Sequence, residues 1–250
     1  MELNKETWKE LDINVDSLWM IGPRAKGGKR ENNYHGNFVP QIPDQMIRRY
    51  TPENGIVLDM FMGSGTTLYE AERLGRSYIG LDINDEIINY VRSKMDGSKA
   101  KYFIHNCDVT DSEQVSLALS DDVIKLQNTG VDLVMSHPPY LDIVKFTDKK
   151  EDLSNISDIN AFIEKYTQSV KNVWPFLKKK QYFVLVIGDL WRNGEVIPLG
   201  FYLMYAIKKA VKDMVGNRGK IGSEGIWKYR ALKNGNFLFK HEYIFVFKKK

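Results

Sequence analysis

The chain has 250 residues, of which 43% are hydrophobic, so it is long enough to bury a sizeable core within one large domain. Its 36 basic and 32 acidic side chains give a net charge of +4, too small to indicate a partner. The single Cys107 excludes an internal disulfide framework, and no Cys and His spacing is typical of a metal site. No export signal and no membrane-spanning apolar run are present, so we expect a soluble, cytoplasmic protein.

The basic residues are concentrated towards the C-terminal end. Between Lys208 and Lys250, twelve Lys or Arg outnumber three acidic side chains, a net charge of +9, while the preceding residues carry −5. Clustered Lys and Arg neutralise phosphates and release counterions, which favours a polyanion-binding face. A solvated surface ending in a frayed lysine tail is the alternative.

From residue 56 onward, short apolar runs alternate with helical patterns, which is typical of βαβ units and a parallel sheet. The predicted elements in chain order are strand 56–61, helix 66–75, strand 77–82, helix 84–95, strand 101–108, a helix within 112–127, strand 131–136, helix 160–177, strand 182–190, helix 199–214 and a strand or hairpin arm at 237–248. Asn84 is placed to cap the second helix. The polar stretch 142–159 lacks a period and predicts a long loop.

Two glycines, Gly63 and Gly65, stand between the first predicted strand and the first predicted helix. Glycine permits a tight turn and a close approach of the backbone to a ligand. The stretch lacks both the third glycine of the dinucleotide fingerprint and the lysine of a P-loop. An ordinary strand-to-helix turn is therefore the alternative to a cofactor loop.

Asp82 strengthens the cofactor interpretation because it ends the next strand, nineteen residues after Gly63. A carboxylate there can accept hydrogen bonds from both hydroxyls of a ribose. Asp108, after the third strand, could reach an adenine amino group. Together they predict a nucleoside-containing cofactor, although each aspartate could equally be a turn or cap residue.

The stretch SHPPY, Ser136 to Tyr140, follows the fourth predicted strand. Open α/β sheets bind ligands beyond the carboxyl ends of their strands, where the strand order reverses. If the first and fourth strands are neighbours there, this stretch lies opposite the glycine loop. Consecutive prolines stiffen the backbone and free its carbonyls from regular pairing, and Tyr140 presents an aromatic plane.

Together these stretches resemble the DNA amino-methyltransferases, which transfer a methyl group from S-adenosylmethionine to adenine N6 or cytosine N4. VLDMFMGSGTT looks like their cofactor loop, YIGLDIN like their ribose-binding strand and SHPPY like their catalytic loop. Residues 35–51 are similar to the segment that closes over the methionine end of the cofactor. The likeness extends from about residue 33 to the end of the chain, and the motifs occur in the family's order.

The resemblance implies an α/β, Rossmann-like class I methyltransferase fold with a mostly parallel seven-stranded sheet, an antiparallel C-terminal strand and helices on both faces. It implies an N-terminal extension at 1–34, a methyltransferase domain at 35–250, and candidate target-recognition insertions at 142–159 and 216–236. The implied cofactor is S-adenosylmethionine and the implied partner is duplex DNA with a flipped base. RNA is a less favoured partner, no membrane is expected, and a monomer or a homodimer remains open.

The resemblance also assigns site residues. The cofactor contacts it implies are Phe38, Gln41, Asp59, Phe61, Gly63, Ser64, Gly65, Thr66, Asp82, Ile83 and Asp108. The implied catalytic residues are Ser136, His137, Pro138, Pro139 and Tyr140, with the Pro138 carbonyl and a neighbouring acceptor holding the amino group while Tyr140 stacks on the base. Candidate DNA contacts are Lys145, Arg218, Lys220, Trp227, Tyr229 and Arg230, with a plain hairpin as the alternative for 216–236.

His137 departs from the family pattern, in which Asp, Asn or Ser usually precedes the two prolines. An imidazole accepts a hydrogen bond only when neutral, so we expect methyl transfer to be lost as pH falls through roughly 6 to 7. Ser136 could supply the acceptor instead, although strand alternation points it elsewhere. The choice between adenine and cytosine is therefore open, and His137 as a mere spacer is the alternative.

Other classes of protein share parts of this pattern. An RNA methyltransferase acting on guanine N2 of tRNA has a similar Pro-Pro-Tyr loop, and a protein-glutamine methyltransferase has one that normally begins with Asn. A catalytically inactive nucleic-acid-binding relative would explain His137. A nicotinamide oxidoreductase is disfavoured by the missing third glycine.

Overall fold

The structure is a computed structural model that describes residues 6, 8–10, 12–30, 34, 36–222 and 242–250. The helices are α1 (Gln41–Tyr50), α2 (Thr66–Arg73), α3 (Asp85–Lys94), α4 (Ser112–Lys125), α5 (Ile159–Val173) and α6 (Leu199–Ala210). The strands are β1 (Leu18–Trp19), β2 (Ile56–Asp59), β3 (Ser77–Asp82), β4 (Tyr102–Asn106), β5 (Val131–Ser136), β6 (Leu177–Ile187), β7 (Leu190–Arg192), β8 (Glu195–Ile197), β9 (Met214–Gly222) and β10 (Glu242–Lys249).

Eight of the strands form one sheet in the order β1-β9-β10-β6-β5-β2-β3-β4. Strands β2 to β6 run parallel, whereas β10 is antiparallel to both of its neighbours, β6 and β9. The predicted mostly parallel sheet with an antiparallel C-terminal strand is confirmed. The sheet has one strand more than the seven expected, because the two-residue β1 pairs with β9 and is too short to show a periodic pattern.

Helices cover both faces of the sheet, and side chains alternate between the two resulting cores. Leu58 packs in the core beneath α4, α5 and α6, whereas its neighbour Val57 packs in the core beneath α1, α2 and α3. All four residues of β2 and all six of β5 are buried. Burial on both faces explains why these strands read as continuous apolar runs rather than as an alternating pattern.

The strand order reverses between β2 and β5. From β2 the chain moves outward to β3 and β4, then returns to place β5 on the other side of β2. Leu58 pairs with Val134 and Asp59 with Met135. The expected adjacency of the first and fourth predicted strands is therefore confirmed, and the crevice typical of such a reversal opens at their carboxyl ends.

Several boundaries differ from the sequence prediction. Helix α5 ends at Val173 and β6 begins at Leu177, because Pro175 cannot continue the helix and lies in a short 3-10 turn. Asn84 caps α3 as predicted, accepting hydrogen bonds from the backbone N–H groups of Glu86 and Ile87. Across the described ranges, no helix has the length and apolar character needed to cross a membrane.

The two candidate insertions have different structures. Residues up to Gly222 of the segment 216–236 belong to β9, and the remainder lies outside the described residues. The segment 142–159 is a loop, as predicted, with one 3-10 turn at Leu153–Asn155. Asp152 orders this loop by accepting hydrogen bonds from the Thr147 hydroxyl and the Ser154 N–H, both at 2.8 Å.

Candidate functional site

The glycine loop leaves β2 and enters α2 through two residues with positive φ, Gly63 at 51° and Gly65 at 85°. A side chain at either position would be strained, and a Cβ at Gly65 would lie 3.0 Å from the Tyr69 ring. The loop is tied to β3 by the Met62 N–H, which donates to the Leu81 carbonyl at 2.9 Å. The backbone of this turn is thus held at the carboxyl end of the sheet.

Asp82 is hydrogen-bonded to the backbone of the glycine loop and to the backbone at the start of α3. Its Oδ2 accepts from the Gly63 N–H at 2.7 Å and its Oδ1 accepts from the Asn84 N–H at 2.9 Å. A carboxylate offers about four acceptor positions, so two hydroxyl donors can still bind after these two bonds. Burial raises the pKa of Asp82 to about 6. The residue can therefore brace the loop and accept from a ribose diol at the same time.

Polar groups buried in the glycine loop also fit a polar ligand. The Thr66 hydroxyl is buried and has no hydrogen-bond partner within the described part of the chain, an arrangement that costs about 1–3 kcal/mol until a partner binds. The Ser64 hydroxyl accepts from the Asn37 side chain at 3.5 Å. Asp59 is 2% exposed, and burial raises its pKa to about 7. These groups fit the predicted nucleoside cofactor.

The loop after β5 is anchored by hydrogen bonds of Tyr140. Its hydroxyl donates to Glu242 Oε1 at 2.8 Å and accepts from the Gly188 N–H at 2.9 Å. His137 Nε2 lies 3.4 Å from the Tyr140 hydroxyl and 3.7 Å from Glu242 Oε1. Burial opposes ionisation of Glu242, but the His137 ring and the Tyr140 hydroxyl hold its pKa below the usual value. The loop is therefore fixed to the end of β6 and the start of β10.

Asn37 and Phe38 contact the two loops. The Phe38 ring meets the His137 ring edge-on with centroids 4.8 Å apart, while its neighbour Asn37 reaches Ser64. Gln41 is not brought to this site. Its side-chain amide instead donates to the Pro23 carbonyl at 2.7 Å and accepts from the Ala25 N–H at 3.1 Å, so it holds the N-terminal segment against α1.

Ser136 faces away from the glycine loop. Its hydroxyl is completely buried and lies 3.0 Å from the Tyr166 hydroxyl on α5, as strand alternation predicts. Phe61 also packs on Tyr166, with ring centroids 6.3 Å apart. Of the loop residues after Ser136, Pro138 is buried, whereas Pro139 is only half-buried.

Asp108 and Ile83 lie at the ends of β4 and β3. Asp108 Oδ1 accepts hydrogen bonds from both the N–H and the hydroxyl of Thr110 at 2.8 Å. This oxygen therefore stabilises the turn after β4. The Ile83 carbonyl accepts from Lys149 Nζ at 2.7 Å. The loop 142–159 therefore reaches the strand ends where the predicted cofactor residues lie.

Three residues at the site escape sequence reasoning: Tyr34, Phe146 and Glu242. The rings of Tyr34 and Phe146 stack with centroids 5.7 Å apart, and a Cβ at Gly63 would lie 3.4 Å from the Tyr34 ring. Burial, with Asp82 nearby, raises the pKa of the Tyr34 hydroxyl. Tyr34 and Phe146 are isolated aromatics in polar stretches, so no hydrophobic period indicates them. Glu242 is one acid in a basic region, and nothing in the sequence pattern distinguishes it.

The candidate DNA contacts are mostly outside the region that can be described. Lys145 is exposed and forms an ion pair with Asp148 at 2.5 Å. Arg218 and Lys220 lie on β9, but their side chains are outside the described part, as are Trp227, Tyr229 and Arg230 altogether. Among the described residues, no group of three or more His, Cys, Asp or Glu could hold a metal ion.

Residues 1–93 match the model of the DNA methylase family of N6 and N4 methyltransferases. The type II methyltransferase M.MjaII of Methanocaldococcus jannaschii is 34% identical over 129 residues, covering 48% of this chain and 24% of that protein. M.ScaI of Streptomyces caespitosus is 27% identical over 97 residues, covering 37% and 32%. M1.MboII of Moraxella bovis is 50% identical over 46 residues, covering 18% of each protein. This chain thus spans no more than 32% of the length of these relatives.

Solved structures support the fold. An rRNA methylase from Streptococcus thermophilus has a TM-score of 0.51 at 9% identity, covering 83% of this chain and 94% of that one. A SAM-dependent methyltransferase from Methanosarcina mazei has a TM-score of 0.50 at 16% identity, covering 82% and 96%. At such identities the likeness shows a shared fold alone, the expected class I methyltransferase fold. Over their matched parts, the family model and the type II relatives show that this chain is similar to the DNA amino-methyltransferases.

Proposed function

We propose that the protein transfers a methyl group from S-adenosylmethionine to an exocyclic amino group of a DNA base, adenine N6 or cytosine N4. One observation carries this proposal: the loop that begins at His137 follows β5 directly beside β2 and its glycine loop. The Met60 N–H donates to the Met135 carbonyl at 3.0 Å, which joins the two strand ends. A nucleoside cofactor and a base amino group would therefore meet in one crevice.

The residues around the glycine loop fit the cofactor. S-adenosylmethionine, when bound, supplies an electrophilic methyl group. Asp82 has acceptor positions left for the ribose hydroxyls, and Gly63 and Gly65 allow the backbone to approach the ligand closely. Phe38 closes the crevice on the side of the catalytic loop. These residues bind and orient the cofactor.

The loop residues position the target base. A base amino nitrogen is a poor nucleophile because its lone pair is delocalised into the ring, so the enzyme must hold and polarise it. His137 and the Pro138 carbonyl accept the two N–H hydrogens, and the Tyr140 ring stacks on the flipped base. The bonds of Tyr140 to Gly188 and Glu242 fix its ring before the base arrives, which reduces the entropy cost of binding.

The outer face of α6 supports a nucleic-acid partner. Three exposed aromatics, Phe201, Tyr202 and Tyr205, precede exposed lysines along one helical stripe, and α6 itself carries no acidic residue. Bases stack on aromatic rings and lysines neutralise phosphates. The Phe201 ring lies 5.0 Å from the Tyr243 ring, and the Tyr243 hydroxyl donates to Asp189, next to the Gly188 that binds Tyr140. The lysines are Lys208 and Lys209, in the last turn of α6, and Lys212, which follows the helix.

The direct test is transfer of tritiated methyl from S-adenosylmethionine to unmethylated genomic DNA, with bulk tRNA in parallel. The products are digested to nucleosides and identified by mass spectrometry. N6-methyladenine or N4-methylcytosine in the DNA supports the proposal and names the base. Label in tRNA alone indicates the RNA methyltransferase alternative, and no label despite cofactor binding indicates an inactive relative.

A further inference from the structure

The hydrogen bonds around Tyr140 have a determined direction. A tyrosine hydroxyl has one proton to donate, and an ionised carboxylate can only accept. Tyr140 therefore donates its hydroxyl hydrogen to Glu242 in the 2.8 Å hydrogen bond, and the Gly188 N–H donates to the phenol oxygen at 2.9 Å. Towards its remaining neighbour, His137 Nε2 at 3.4 Å, Tyr140 can act only as an acceptor.

Both polar neighbours of His137 Nε2 are thus acceptors, since Glu242 Oε1 also lies only 3.7 Å away. A nitrogen that faces two acceptors is stabilised when it carries the hydrogen. A neutral imidazole has one N–H and one lone pair, so a hydrogen on Nε2 leaves the lone pair on Nδ1. The ring is only 9% exposed and meets Phe38 edge-on, which restricts its rotation.

We propose that Glu242 is a positioning residue that, through Tyr140, fixes His137 in the tautomer with hydrogen on Nε2, so that Nδ1 accepts a hydrogen bond from the target amino group. This inference rests on the proposed function. It explains how a histidine can stand where the resembling family has Asp, Asn or Ser. Those side chains offer an oxygen acceptor, whereas a neutral imidazole has one acceptor nitrogen, and its tautomer decides which of the two nitrogens that is.

Substitutions at Glu242 separate this role from a structural one. In E242L, the Tyr140 proton has no carboxylate to bind and can turn to His137 Nε2, which moves the imidazole hydrogen to Nδ1. We expect kcat to fall by about 10- to 100-fold, the usual effect of removing a partner that orients an active-site group. E242Q keeps an oxygen acceptor for Tyr140, so it should retain the tautomer and stay within about threefold of the unchanged chain.

The matched control is the same substitution in an H137N chain. An asparagine amide has its own oxygen acceptor, so E242L should change kcat by less than about threefold in that background. Activity of the H137N/E242L chain would also show that the leucine is tolerated by the fold. An equal loss of kcat with and without H137N would overturn the proposal, because Glu242 would then act independently of His137.

Nitrogen-15 NMR of imidazole-labelled protein reads the tautomer without any substrate. The chain has four histidines, and the His137 signals are the ones absent from the H137N spectrum. We expect a protonated Nε2 and an unprotonated Nδ1 in the unchanged chain and in E242Q, and the reverse in E242L. A hydrogen on Nδ1 in the unchanged chain would refute the inference, whereas failure of the proposed function would appear as absent methyl transfer with the tautomer intact.

Discussion

The backbone N–H of Gly63 donates a hydrogen bond to the carboxylate of Asp82 at 2.7 Å. The acid at the end of β3 and the glycine loop after β2 are therefore one unit. A change at Asp82 should affect both the ribose acceptors and the backbone that approaches the rest of the cofactor.

Replacing this carboxylate tests the unit directly. In D82N, the amide nitrogen cannot accept, so either the Gly63 or the Asn84 N–H is left without its partner. Loss of a charge-assisted hydrogen bond is worth about 1.5–3 kcal/mol, so we expect the Kd for S-adenosylmethionine to rise by about 10- to 100-fold. Isothermal titration calorimetry measures this, with D121N on the exposed side of α4 as the control. An unchanged Kd would show that Asp82 does not hold the cofactor.

Asp59 predicts a pH-dependent stability. Its pKa is about 7 in the folded protein, because of burial, against about 3.9 for an unfolded aspartate. The folded state then holds the proton more tightly than the unfolded state. The free energy of unfolding therefore falls as pH rises from about 3.9 to about 7, and above pH 7 the full destabilisation by ionised Asp59 is present. We expect D59N to be more stable than the unchanged chain at pH 8, by on the order of 1 kcal/mol or more, with a smaller gain at pH 5. Urea denaturation at pH 5 and pH 8 measures these differences, and an equal stabilisation by D59N at the two pH values would contradict the prediction.

The acceptor role of His137 predicts a loss of methyl transfer in acid. Its ring lies near Glu242, Tyr140 and the carboxyl group of Asp59, and a protonated imidazole has no lone pair. The single-turnover rate should be lower in acid than at neutral pH, because a protonated ring cannot accept a hydrogen from the base. H137N, measured in parallel, should lack the part of the decline that belongs to the imidazole. A flat profile down to pH 5 would exclude the histidine as acceptor.

The hydroxyl of Tyr140 should contribute to stability as well as to the site. Y140F removes the hydroxyl that binds the Gly188 N–H and the half-buried Glu242, which should lower the free energy of unfolding by about 1–3 kcal/mol. Y205F, on the exposed face of α6, removes a hydroxyl without this cost and serves as the control. Equal stability of the two variants in urea would contradict the anchoring role.

The lysines at the end of α6 and just beyond it should carry part of the DNA affinity. In the triple variant K208Q/K209Q/K212Q, we expect weaker binding to duplexes of any sequence and a shallower salt dependence. The slope of log K against log salt should shrink by about 0.9 for each phosphate that the variant no longer neutralises. A triple variant of exposed lysines elsewhere, K94Q/K99Q/K101Q, should leave the slope unchanged. If the two triple variants had the same salt-dependence slope, DNA would bind to a surface other than this end of α6.

The sequence by itself determined the class of fold and the place of the crevice. Apolar runs buried on both faces, and helix caps such as Asn84, depend on local backbone geometry and burial. They can therefore be predicted from short stretches of the sequence. The rule that ligands bind where the strand order reverses then brought Gly63 and His137 to one edge of the sheet. The neighbouring strands β2 and β5 confirm that adjacency.

Only the tertiary structure decided which side chains meet there. Glu242 reaches His137 because β10 pairs antiparallel with β6, and the Tyr34 ring lies against Gly63 although the two residues are far apart in the chain. Gln41 turned to the N-terminal segment rather than to the crevice. Such contacts join residues far apart in the chain through the packing of whole elements, and no local period or spacing encodes them, because each side chain's partners depend on where its element docks.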